Sequence, residues 1–145
     1  KREHCLLVAS LMASLADQQK EDADLWWLVG LLHDLDYDDT VSDRSRHGVV
    51  AAERLEGELP VVALDAIRCH DHRTGLVPAS RLDHSLLFCD AVAAVIEFSG
   101  QASFCTVEGF MGCVAAVSVE KPWLRSIIEG YPFLDEVDLS RLLDG

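Results

Sequence analysis

A 145-residue chain that is 50% hydrophobic carries enough apolar side chain to bury one domain core, and too much to stay disordered. Its 12 Lys+Arg face 25 Asp+Glu, and the resulting net charge of −13 argues against general affinity for nucleic acid or an anionic membrane. The longest apolar run, Leu25 to Leu32, falls short of a membrane span, and no basic stretch leads into an apolar one as in a secretory signal.

Taken in chain order, the hydrophobic pattern is helical. His4, Leu7, Val8, Leu11 and Leu15 mark one face of a first helix over about residues 3–18. A second helix is expected from about Asp22 to His33 or Asp34, with Asp22 or Asp24 suiting its N-terminal end. The acidic stretch Asp36-Tyr37-Asp38-Asp39-Thr40 reads as a solvated loop, in which one carboxylate is able to orient a ligand histidine. A third helix is predicted from about Asp43 to Leu55, stopped by Gly57. Pro60 suits the first turn of a fourth, which ends near His70 to His72. Ser80 and Asp83 have the spacing of a capping box for a fifth helix over about 81–99, ended by Gly100.

Beyond Gly100 the pattern is less regular. Residues 105–119 suit a helix, or a strand through Val114–Val119; helix is taken because every clear element is helical. Pro122 opens a short helix that Gly130 and Pro132 close, and a last turn or two over Leu134–Leu143 ends the chain. The expectation is one all-α domain over residues 1–145, a compact helical bundle. Five core helices occupy 1–99, and one or two C-terminal helices form an extension over 100–145.

Cys5, Cys69, Cys89, Cys105 and Cys113 include no C-x-x-C pair and mostly have apolar neighbours. They read as small core hydrophobes in a reducing, cytoplasmic setting. The chain opens on Lys1 without a methionine, and further residues are expected upstream.

The chemistry lies in ionisable groups on apolar faces. His33-Asp34 closes the run Leu25–Leu32; His4, His47, His70 and Asp90 sit at helical spacing from apolar neighbours. Each buried histidine alone is most simply a hydrogen-bonded core residue, whereas a buried carboxylate such as Asp90 needs a cation or several donors. Together they point to a buried metal centre. Imidazole and carboxylate suit a divalent transition metal (iron, manganese, zinc or nickel, with magnesium also considered), as one ion or two. One partition gives His4, His33, Asp34 and Asp90 the first ion and Asp34, His47 and His70 the second, with Asp34 bridging. Among the arginines, Arg44, Arg73 and Arg81 are candidate phosphate clamps, and His72 faces either substrate or solvent. His84 reads as surface, and Trp26-Trp27 as core packing with one ring available to a pocket.

The ordered set His4, His33-Asp34, His47, His70, Asp90 resembles the HD-domain metal-dependent phosphohydrolase superfamily, over residues 1 to about 98. Gly30-Leu31-Leu32-His33-Asp34-Leu35-Asp36-Tyr37, Ala66–His70 and Leu86–Asp90 look like the small HDIG-type branch of predicted hydrolases. Asp36 stands where that motif has glycine, and the branch's lysine before the last aspartate is replaced around His84. The resemblance implies that His4, His33, Asp34 and Asp90 form the metal signature, and that His47 and His70 match the extra histidines of binuclear members. It implies hydrolysis of a phosphoester or phosphoanhydride of a small, nucleotide-like molecule by metal-activated water, with His33 and Asp34 as the catalytic pair. The alternatives are a di-iron, O₂-dependent oxygenase or a non-catalytic metal-binding regulatory module. Neither nucleic acid nor membrane is an expected partner, and a homodimer is compatible with the sequence.

Overall fold

The computed structural model describes residues 1–100 and 106–144, and every regular element among them is helical. The helices are α1 (Arg2–Gln19), α2 (Ala23–Leu32), α3 (Val49–Arg54), α4 (Val61–Arg68), α5 (Arg81–Ser99), α6 (Val107–Val117), α7 (Pro122–Glu129) and α8 (Leu139–Asp144). Short 3₁₀ turns cover Asp38–Thr40, Arg44–Arg46, His72–Thr74 and Leu134–Glu136. Cys105, and the start of the helix predicted from residue 105, lie outside the described residues.

Local chemistry sets the starts. The Asp22 carboxylate accepts from the Leu25 amide at 3.1 Å, satisfying one of the donors that a helix N-terminus leaves open. At α5 the Ser80 hydroxyl accepts from the Asp83 amide at 3.0 Å, while the Asp83 carboxylate accepts from the Ser80 amide at 3.1 Å. Pro60 is the N-cap of α4 and Pro122 the first residue of α7, positions at which a missing N–H costs nothing.

α1 and α2 form a tight antiparallel hairpin. Gly30 makes it possible, since a Cβ there would lie 2.7 Å from the Ala9 Cα. The close crossing brings the last turn of α2 beside the first turn of α1, and so His33 beside His4. α5 packs against α1, α4 and α7 and carries the longest buried stripe, including Leu86, Phe88, Val92 and Val95. The C-terminal extension joins the same core through Phe110, Leu124, Ile128, Tyr131 and Leu142. The Tyr131 ring stacks on Phe88 with centroids 4.4 Å apart, and its hydroxyl meets Ser85 Oγ at 2.6 Å.

Four sequence expectations change. The predicted Asp43–Leu55 helix is broken: Arg44–Arg46 is a 3₁₀ turn, His47 is extended, and α3 begins only after Gly48. Gly48 has φ +92°, and a Cβ on it would lie 2.5 Å from the Ile67 carbonyl oxygen. The fourth helix stops at Arg68, before His70, and Asp71 caps a separate turn over His72–Thr74. In the acidic stretch Asp38 and Asp39 are exposed but Asp36 is fully buried. The tryptophan pair also divides, with Trp26 in the core and Trp27 exposed.

Candidate metal centre

Each of the four imidazoles is held from behind by its Nδ1. The ring of His33, just past α2, meets the Gly30 carbonyl oxygen through Nδ1 at 2.6 Å, and that of His70, just past α4, meets the Ile67 carbonyl oxygen at 2.7 Å. Both carbonyls lie in a last helical turn, where acceptors are left partly unused. A carbonyl only accepts, so Nδ1 carries the proton and Nε2 points its lone pair inward.

His47 Nδ1 is 2.7 Å from Asp36 Oδ1, and Asp36 Oδ2 accepts from the Gly48 and Ala51 amides, each at 2.8 Å. The buried Asp36 carboxylate thus has three donors, which makes its burial tolerable and fixes the His47 ring at the break before α3. His4 Nδ1 lies 2.7 Å from Glu97 Oε1, across from the far end of α5.

The Nε2 atoms converge on two carboxylates. Asp34 Oδ1 is 2.9 Å from His47 Nε2 and 3.4 Å from His70 Nε2. Asp34 Oδ2 is 3.6 Å from His4 Nε2 and 3.5 Å from His33 Nε2. Asp90 Oδ1 is 2.9 Å from His4 Nε2 and 3.5 Å from His33 Nε2. The two oxygens of Asp34 therefore face different histidine pairs. The sets His4–His33–Asp34, His33–His70–Asp90 and Asp34–His47–His70 each present ligand atoms within 4.8 Å of one another.

The donor set fits a divalent metal. His33 Nε2 is buried without a hydrogen-bond partner. His47 and His70 Nε2 are 3.3 Å apart and both lie against Asp34, close enough to share one cation. The electrostatics agree. Burial would lower the His33 and His47 pKa values, but Asp90 and Asp34 respectively drive them above the ordinary histidine value. His4, pulled down by burial and up by Asp90 and Glu97, is pushed to about 10. Burial opposes ionisation of Asp34 and Asp90, yet the neighbouring imidazoles hold both well below the usual carboxylate range.

The centre forms the floor of a cavity of about 540 Å³. Lys1 reaches it, with Nζ 3.0 Å from Asp34 Oδ2 and 3.8 Å from the Tyr37 ring centroid. His72 and Arg73 line its mouth, and Asp71 grips the Arg73 guanidinium at 2.9 and 2.6 Å. The cavity lining does not include Arg44 or Arg81. Arg44 braces the Asp36–Thr40 turn, donating to the Tyr37 carbonyl at 2.6 Å. Arg81 sits over the Phe133 ring and donates to Gln19 at 2.9 Å, tying the C-terminal extension to α1. The residues pattern reasoning passed over are Lys1, Glu97, Lys121 and Trp123. Lys1 lies three residues before His4 and Glu97 seven after Asp90, helical spacings that signal a shared face. Lys121 and Trp123 carry no such signal.

The family model described as HD domain matches residues 2–94. The chain belongs to the HD-domain family. HD domains are helical, metal-dependent proteins of hydrolase type, and the matched stretch contains all six clustered His and Asp residues as well as Asp36. The extension from α6 to α8 lies beyond the match. No curated protein and no solved structure matches the chain. Among the described residues of this HD-domain protein, no helix is long and apolar enough to cross a membrane.

Proposed function

We propose that this HD-domain protein is a metal-dependent phosphohydrolase that cleaves a phosphoester or phosphoanhydride of a small, nucleotide-like molecule. The observation that carries the reading is the convergence of four outward-tethered imidazoles on Asp34, whose two oxygens serve opposite pairs. His4, His33, Asp34 and Asp90 would hold one ion, and Asp34, His47 and His70 a second. Bound divalent ions supply positive charge that polarises a phosphoryl oxygen and acidifies water toward neutral pH.

The chain's own residues do the rest. Asp36, Glu97 and the Gly30 and Ile67 carbonyls keep the imidazoles in one tautomer and one orientation. Lys1, Arg73 and Lys121 line the cavity and offset charge on an incoming phosphate, against the acidic background of the surface. Asp71 restrains Arg73, so that its guanidinium is already oriented at the mouth.

The test is chelator stripping, followed by assay against phosphoesters and nucleotides after addition of manganese or iron. Activity should vanish and return, and His33→Ala should not respond to metal. Hydrolysis indifferent to both chelation and His33→Ala would refute the reading; oxygen consumption without phosphate release would transfer the centre to oxidative chemistry.

A further inference from the structure

The cavity over the metal centre has walls of two origins. Its floor comes from the HD-domain match, residues 2–94, whereas Lys121, Trp123 and Ile127 come from α7 and its N-cap beyond it. α7 lies along α5, with Trp123 and Leu124 lining the cavity together with Ala91 and Ala94, while Tyr131 is anchored further back on Ser85. Two tilted rings lie close together at the mouth. His72 and Trp123 have centroids 6.3 Å apart and are inclined by 39°, and their relative exposures are high, with Trp123 at 46%. A ring held between two others needs about 7 Å between the outer planes, two contacts of ~3.5 Å each. The two exposed side chains would have to part slightly and become parallel to admit one planar ring. Lys1 is paired with Asp34 and Arg73 with Asp71, but Lys121 has no ion-pair or hydrogen-bond partner for its ammonium among the described residues.

We propose that α7 and the His72–Thr74 turn form a nucleobase clamp, in which Trp123 and His72 stack on a base of any identity while Lys121 meets the attached phosphate. The substrate class is then a nucleoside phosphate rather than a sugar phosphate. The inference rests on the phosphohydrolase reading for the fate of the phosphate, but base recognition is separately measurable. A cavity of about 540 Å³ falls within the range of small-ligand sites. Base–aromatic stacking tolerates any base, since each has a π-face.

Adenosine tests the clamp, because it carries a base and no phosphate to cleave. Equilibrium dialysis of adenosine against the metal-replete protein should show saturable binding. Trp123→Ala should raise the Kd about tenfold, Trp123→Phe should restore most of the affinity, and Lys121→Ala should leave adenosine unaffected. In turnover, Trp123→Ala should raise KM for AMP by a larger factor than KM for ribose 5-phosphate. Absence of saturable adenosine binding, or an adenosine Kd indifferent to Trp123→Ala, overturns the clamp even if phosphoesters are hydrolysed. Trp123-dependent adenosine binding without any phosphate release upholds the clamp and removes the phosphohydrolase reading instead.

Discussion

The half of the centre around His33, His47 and His70 is built differently from the half around His4 and Asp90. On the inner side the three histidine side chains are 0–4% exposed, and their Nδ1 anchors are backbone carbonyls and the buried Asp36. On the outer side Asp90 is 29% exposed and His4 leans on Glu97, itself 45% exposed. The same ligand chemistry is therefore preorganised in one half and left open to solvent in the other. The difference teaches where rigidity comes from: helix ends and a glycine-enabled chain break fix the inner ligands, whereas the outer ones rely on side chains reaching across a cleft.

The largest expected effect comes from the residue that both halves share. Asp34→Ala removes the carboxylate between the histidine pairs, and metal analysis by mass spectrometry should find both ions lost together. Loss of only one would show that the halves are independent.

Gly48→Ala attacks the inner half through the backbone. The positive φ and the clash with Ile67 should cost about 3 kcal/mol of unfolding free energy, read by urea denaturation. Asp36→Asn keeps the shape but weakens the anchor of His47, and should lower metal affinity by about 10–100-fold. Glu97→Gln is the matched change on the outer side. It should lower affinity less than Asp36→Asn and leave the thermal midpoint unmoved, because Glu97 is exposed and holds no backbone. Equal effects of the two would erase the distinction.

The smallest effect is a pH dependence. A raised folded-state pKa for His4 stabilises the metal-free protein fully below 6.5, and that stabilisation is lost as pH rises through about 10. Metal must displace the same protons, so affinity should climb over that window, with proton release visible as buffer-dependent heat in calorimetry.

Much of this was legible before the fold was known, for physical reasons. Asp22, the Ser80–Asp83 box and Pro122 act within one turn of chain, so their helix starts can be read locally. The six clustered His and Asp residues stood out because ionisable groups on apolar stripes need a reason to be there. The break at Gly48 was hidden, because His47, Val50 and Ala51 still fit a helical period; the decision rests with Ile67 and Asp36, contacts made at long range. Arg44 and Arg81 looked equivalent to Arg73, since a sequence does not say which acceptor a long cation finds. The contribution of α7 to the cavity depends on how the C-terminal extension docks through Leu124, Ile128 and Tyr131.

The most direct test of the centre is metal stoichiometry of the purified protein beside Asp34→Ala, with folding of both verified by circular dichroism. The arrangement of Asp34 between His4–His33 and His47–His70 predicts two divalent ions per chain in the parent protein and none in the variant. A parent protein that folds without metal and takes none up from solution, or metal content untouched by Asp34→Ala, would contradict it.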